Sequence, residues 1–263
     1  MKIATLNINS VNARLQNLSD WLTVNQPDIM FLQEIKCEFN NFPLFELQMS
    51  GYDAKVLGQK SYNGVAVLSK HKMKVRSENL PDFTDENSRY LEVEIEMNGE
   101  KYVVSSLYLP NGNPPYNNPH DASKFAYKLE WMDALLKHAS NLLIKNKNVV
   151  LGGDFNVIMS ARDVYNPELF AGNALYRPEV QNRLRCLINS GYTDCYRALS
   201  PNDSGYTFWD YTGGAFINDL GMRIDYIFAS PYLADRLQKC VIDRDFRAKE
   251  KASDHTILSA KFI

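Results

Sequence analysis

Oxygen-bearing side chains recur at the ends of apolar runs in this chain. Asn7 closes the first run, Glu34 the second, and Tyr108 stands near the end of a later one. Gly152-Gly153-Asp154-Phe155-Asn156 follows Asn148-Val149-Val150-Leu151. Asp225 lies in Arg223-Ile224-Asp225-Tyr226-Ile227, and Ser253-Asp254-His255 precedes Thr256-Ile257-Leu258. Any one of these blocks alone reads as an ordinary turn, because Gly, Asp and Asn are turn formers. An ionisable group at the edge of a buried strand is costly unless it is paired or bound to metal, so their number argues for one shared polar site. Glu, Asp and Asn oxygens with few histidines suit a hard cation, Mg²⁺ or Mn²⁺, rather than zinc. Such an ion takes one or two carboxylates and fills its shell with water and phosphate, so the expected substrate is a phosphate ester. His255 beside these acids supplies a group that can touch phosphate or a nucleophilic water.

The elements that must position these groups are legible as patterns. Residues 2–7, 28–33 and 64–69 read as buried strands. Val11, Leu15, Leu18 and Leu22 recur at the spacing of one helix face. Residues 91–97 alternate, Asn98-Gly99 is a hairpin turn, and residues 101–109 return. A long amphipathic helix is expected over 124–143, then a strand at 149–151. A helix over 178–189 has Pro178 at its start and Gly191 past its end. Late strands are expected at 224–229, 240–243 and 256–262. Residues 111–119, rich in Asn and Pro, read as a loop. Strands and helices are mixed throughout with no Pro/Ser/Gly-rich linker, so one domain over residues 1–263 is expected.

The chain has 263 residues, 45% apolar and 23% charged, which is enough for a large core. No stretch approaches 18 consecutive apolar residues, so no membrane span is expected. Asn7 and Asn9 interrupt any apolar leader, and a mature cytoplasmic protein is expected. Cys37, Cys186, Cys195 and Cys240 are scattered without a C-x-x-C pair, as reduced thiols rather than a disulfide frame or zinc site. A formal net charge of −2 argues against coating nucleic acid by bulk charge. Residues 54–77 nevertheless hold six cations, Lys55, Lys60, Lys70, Lys72, Lys74 and Arg76, and no acid. That stretch is either a phosphate-binding face or a solvated loop pair.

Taken in order, Leu32-Gln33-Glu34, Ser106-Leu107-Tyr108-Leu109-Pro110-Asn111-Gly112, Gly153-Asp154-Phe155-Asn156, Arg223-Ile224-Asp225-Tyr226 and Ser253-Asp254-His255 resemble the exonuclease III family of AP endonucleases. That family is part of the wider endonuclease/exonuclease/phosphatase superfamily. The resemblance runs from Lys2 to Phe262. It implies an α/β fold, a four-layer αββα sandwich of two packed mixed sheets with helices outside. It implies Glu34 as the main metal ligand, with Asn7 and Asp254 close by and partly through water, and Asp154, Asn156 and His255 in the same metal site. Asp154 would orient or deprotonate the attacking water, or protonate the leaving oxygen. Asn156 would hold that water or the phosphate. His255, paired with Asp225, would contact the scissile phosphate beside Tyr108.

The implied activity is Mg²⁺-dependent incision 5′ of abasic sites in duplex DNA, with trimming of 3′ ends, by a monomer. Expected DNA contacts are Asn111, Arg89, Lys60, Lys72, Phe208, Trp209 and Met222, the last three around an abasic sugar. Two alternatives share these residues. One is a phosphodiesterase acting on RNA, lipid or inositol phosphate, against which Tyr108 and Arg223-Ile224-Asp225 weigh. The other is a non-catalytic DNA-binding protein, against which the complete catalytic set weighs. The chain departs from its relatives in three places. Thr256-Ile257 stands where many have Ala-Pro. Met222 stands where some have Trp. Asn9-Ser10 stands for a more usual Asn-Gly, and reads here as a helix N-cap.

Overall fold

The computed structural model describes residues 1–115 and 122–263; residues 116–119 of the expected loop lie outside that range. Among the described residues twelve strands appear in chain order: β1 (Lys2–Asn7), β2 (Ile29–Gln33), β3 (Asp53–Leu57), β4 (Val65–Ser69), β5 (Met73–Ser77), β6 (Tyr90–Met97), β7 (Glu100–Tyr108), β8 (Val149–Asp154), β9 (Thr193–Asp194), β10 (Asp225–Ala229), β11 (Leu237–Asp243) and β12 (Ile257–Phe262). They form two six-stranded sheets, ordered β11-β12-β1-β2-β4-β3 and β5-β6-β7-β8-β10-β9. Each sheet is mixed. The β1–β2 and β7–β8 pairs are parallel and the other pairs antiparallel.

Three apolar layers explain the sandwich. Phe31, Val67 and Leu258 of the first sheet interdigitate with Val93, Val104, Val150 and Ile227 of the second. The outer face of the second sheet packs Leu107, Leu151 and Phe228 against helices Ala122–Lys145 and Pro178–Asn189. The outer face of the first packs Ala4, Leu6 and Leu32 against Leu18, Trp21 and Leu22 of helix Leu15–Asn25. Strands β1, β2, β4, β8 and β10 are covered on both sides, which is why they read as continuous apolar runs rather than alternating ones.

Local chemistry sets several joints. Asn98 and Gly99 both take positive φ, +53° and +77°, as the tight β6–β7 hairpin requires. Pro178 opens its helix, where a missing N–H costs nothing. Two expectations need correction. Residues 54–77 are only partly loop: besides the expected β4 they form β3 and β5 at sheet edges, where charged side chains face water, while Lys60, Lys70 and Lys72 sit in the connections. Ser10 is not a helix N-cap. Asn9 and Ser10 both sit at positive φ, +47° and +85°, and the helix begins later, behind the turn Asn12–Arg14, with no side-chain cap. The usual glycine at position 10 is thus explained by backbone geometry.

Candidate active site

Parallel strands end where antiparallel neighbours begin, and this gathers the polar residues at one end of both sheets. Asn7 pairs with Gln33, so Glu34 emerges beside it. Tyr108 pairs with Asp154, and Asp154 with Asp225. β12 runs back along β1, which brings Asp254 and His255 to the same edge.

The side chains are knitted together. Asn7 Nδ2 donates to Glu34 Oε1 at 2.8 Å and to Asp154 Oδ2 at 3.0 Å. Asp154 Oδ1 accepts the Asn156 backbone N–H at 2.9 Å, and Asn111 Nδ2 donates to Asn156 Oδ1 at 3.2 Å. His255 Nδ1 meets Asp225 Oδ2 at 2.8 Å, and its Nε2 lies 3.8 Å from Asp154 Oδ2. Asp254 accepts from Asn9 Nδ2 at 3.1 Å. Lys36 Nζ bridges Asn9 Oδ1 at 2.7 Å and Glu34 Oε2 at 2.8 Å. Glu34 and Asn156 take positive φ, +49° and +47°. Such conformations are unfavourable for these residues and persist where surrounding bonds fix them.

Burial and charge tune these groups. Burial works to raise the Glu34 carboxyl, but hydrogen bonds from Asn7 and Lys36 outweigh it and hold it below the usual range. Burial raises the Asp154 carboxyl, with the Asp225 charge adding and His255 opposing. Burial disfavours a charged His255, yet the Asp225 carboxylate overrides it and pushes the imidazole up to about 10. The Tyr108 hydroxyl is pushed well above its ordinary value by burial and by the Glu34 and Asp154 charges. The result is an imidazole whose charged form the neighbouring Asp225 favours, next to a carboxyl whose proton burial holds more tightly than usual. That combination serves phosphoryl chemistry.

The donor set fits a hard divalent cation. Glu34 already holds a positive charge, the Lys36 ammonium, and Asp225 Oδ1 is buried without a hydrogen-bond partner among the described residues. Asp154, Asp225 and His255 bring ligand atoms within 4.8 Å of one another.

A cavity of about 600 Å³ opens over these groups. Its polar floor includes Glu34, Tyr108, Asn111, Asp154, Asn156 and His255. Its apolar wall includes Phe208 and Met222, and the Phe208 ring meets the His255 ring edge-on with centroids 5.0 Å apart. Ile224, at the start of the expected strand 224–229, is buried with Ile158, Val164 and Met222 and also lines the cavity. Trp209 does not. It is 1% exposed, and its Nε1–H donates to Asp219 at 3.0 Å. Its expected contact with an abasic sugar is therefore corrected: it belongs to the packing beneath the loop. Arg89 lies behind Tyr108, its guanidinium 4.7 Å from the ring centre and bonded to the Tyr108 carbonyl at 3.2 Å. Lys60 is exposed in the β3–β4 connection, at the end of the sheet where Glu34 emerges. Lys72 is exposed beyond Ser69, which pairs with Ile29 at the opposite end of β2. The basic stretch therefore does not form one face.

The cavity wall also holds Tyr165, Phe170, Leu175 and Leu220, which fall in stretches without periodicity and carry no sequence signal. Lys128 supports the site from beneath. It is fully buried, and its Nζ donates to the Asn111 and Asn156 carbonyls. Burial pulls its ammonium down to about 7, against the Asp154 charge. A lysine on the stripe of Phe125 and Met132 was the available signal.

Fold and site define a metal-dependent phosphoesterase, and the chain belongs to the endonuclease/exonuclease/phosphatase family, whose profile matches residues 4–255. Within it the chain stands with the hydrolytic nucleases of the exonuclease III branch. It is 31% identical to exodeoxyribonuclease III of Haemophilus influenzae over 271 residues, covering 100% of both chains. It is similar to the solved 3′ phosphatase NExo from Neisseria bound to a product DNA hairpin, at 34% identity and a TM-score of 0.89, covering 100% of this chain and 99% of that one. An AP endonuclease from Archaeoglobus fulgidus is similar at 32% identity and a TM-score of 0.88, with the same coverage.

Proposed function

We propose that this chain is a Mg²⁺-dependent DNA repair nuclease that works as one cytoplasmic, monomeric catalytic domain. It hydrolyses the phosphodiester 5′ of abasic sites in duplex DNA, leaving a 3′-hydroxyl, and removes nucleotides or blocking groups from 3′ ends. The observation that carries this reading is the convergence of Glu34, Asp154, Asn156 and His255 on one cavity whose far wall is apolar, with Asn7 and Asp225 bonded to them from behind. DNA as substrate draws support from relatives named for acting on DNA. Among the described residues no helix is long and apolar enough to cross a membrane.

Glu34 would hold the ion, with Asn7 and Asp254 close by and partly through water. A bound Mg²⁺, or Mn²⁺ in its place, would supply charge stabilisation to the scissile phosphate. The remaining work belongs to the side chains. His255, held by Asp225, donates from Nε2 to a non-bridging phosphate oxygen and neutralises charge that develops there. Asp154, fixed by Asn7 and by the Asn156 N–H, accepts a proton from the water that bonds to phosphorus as the P–O3′ bond breaks, and the departing 3′ oxygen takes a proton from solvent. Asn156 and Asn111 orient that water or the phosphate with their amides. Phe208 and Met222 offer an apolar surface to a sugar without a base, and exclusion of an intact nucleotide adds to the unstacking cost of extruding it. Lys60 lies where it can meet the DNA backbone.

The test is a duplex with one tetrahydrofuran abasic site, assayed with and without Mg²⁺. Incision on the 5′ side that requires the ion is the expected outcome. Removal of 3′ nucleotides without incision would confine the activity to DNA ends. Cleavage of RNA or inositol phosphates instead would transfer the chain to another branch of its family.

A further inference from the structure

We infer that Lys128 is a positioning residue for catalysis, a buried clamp that holds the Asn111 and Asn156 amides in register over the phosphate. Lys128 lies on the long helix Ala122–Lys145, outside the sheets that carry the catalytic groups, and is 0% exposed. Its Nζ donates to Asn111 O at 3.0 Å and to Asn156 O at 2.6 Å. These two residues sit on separate connections, one after β7 and one after β8, and their side chains meet at 3.2 Å.

The amine therefore joins from behind two loops that the Asn156 amide also ties through the Leu109 carbonyl at 2.9 Å, and Asn111 and Asn156 both line the cavity. Asn156 is at φ +47°, a conformation that relaxes unless neighbouring bonds hold it. The stem is also built into the loop. A Cβ on Gly112, whose φ is +81°, would fall 2.7 Å from Lys128 Cδ. The chain passes this close only because position 112 is glycine. An amine offers at least two N–H donors whether or not it carries a charge, so the clamp works in either state.

The inference rests on the nuclease reading for its kinetic test, and an activity-independent readout keeps the two separable. Lys128→Met keeps the stem and removes both donors; Lys128→Gln keeps an amide with two donors. On whichever duplex the wild type cleaves, Lys128→Met is expected to lower kcat by on the order of 10- to 100-fold, as a small misplacement of catalytic groups does. KM should stay within roughly threefold, because uniform binding is untouched. Lys128→Gln should recover part of kcat. Hydrogen exchange of the Asn156 N–H, which binds Asp154 Oδ1 at 2.9 Å, should speed up in the Met variant while the β8 amides stay protected. Leu135→Ala, a truncation on the same helix away from the loops, should lower the melting temperature without the kcat loss.

Wild-type kcat in Lys128→Met overturns the inference. So does equal kcat in the Met and Gln variants, an Asn156 N–H whose exchange is unchanged, or a Leu135→Ala variant that reproduces the kcat loss. If neither Lys128 variant folds, Lys128 determines the fold and is not a positioning residue. A wild type inactive on abasic and 3′-ended duplexes would sink the proposed function, while the exchange measurement would still decide the role of Lys128.

Discussion

Glu34 is the carboxylate whose removal should cost most. It stands at the open end of β2 with one oxygen on Asn7 and the other on Lys36, so Glu34→Ala removes the carboxylate expected to hold the ion most directly. Activity at ordinary Mg²⁺ is expected to fall by roughly 100-fold or more, with melting temperature nearly unchanged. Cleavage close to wild type would remove Glu34 from the site. The His255–Asp225 pair makes a different prediction. At 2.8 Å the two act as a unit, so His255→Ala and Asp225→Ala should each lower kcat by roughly 100-fold. The double variant should lose far less than the product of the single losses. Strictly multiplicative losses in the cycle would show that the pair does not cooperate. Both blocks announce themselves in sequence as acids at apolar run ends. The hydrogen bond between residues 225 and 255 follows from the family resemblance and not from the run ends themselves, because it joins β10 of one sheet to the segment ahead of β12 of the other.

Strands and helices decide what each element's buried face must tolerate. Glu92 lies on β6 with its carboxylate sealed under helix Ala122–Lys145, 2.6 Å from His138 and 2.8 Å from the Tyr90 hydroxyl. Burial alone would raise its carboxyl, but His138, Tyr90 and Arg76 hold it below its ordinary 4.5. A folded-state value below the unfolded one stabilises the fold above the unfolded value, and the gain fades as pH falls through the folded one. Glu92→Gln should therefore lower stability at neutral pH and flatten its acid dependence below about 4.5, followed by urea midpoints across the acid range. An unchanged acid slope would show that Glu92 is not linked to folding. The segment around Phe208 separates two aromatic neighbours. Phe208 faces the cavity, whereas Trp209 is packed beneath the loop with Phe216 and Arg244. Phe208→Ala should reduce the ratio of abasic to intact-site cleavage more than it slows the chemical step. Trp209→Ala should cost about 3–5 kcal/mol of stability, as loss of a buried Trp does. A Trp209→Ala protein with full stability and altered discrimination would reverse the assignment.

At the scale of the molecule, charge placement matters more than its sum. Lys60 lies at the active-site end of the first sheet and Lys72 at the other. Lys60→Glu should weaken DNA binding and reduce the slope of log affinity against log salt by about 1, while Lys72→Glu should leave it unchanged. Equal effects of the two, read from binding at several salt concentrations, would mean that DNA reaches both ends of the sheet.

The sequence by itself determined the composition of the site, since an acid or amide that closes a buried run has few uses besides a shared polar centre. It also determined the central strands, whose apolar runs report burial on both faces, and the two long helices through their periodicity. The edge strands β3 and β5 were lost because lysines on an exposed face imitate a loop. Which polar residues converge was decided by register. Asp154 meets both Tyr108 and Asp225 only because β8 runs parallel to one neighbour and antiparallel to the other. The inward turn of Phe208, the burial of Trp209 and the reach of Lys128 across two loops likewise depend on long-range packing. Local sequence does not encode it, because each contact joins segments whose separation along the chain is bridged only when the sheets close.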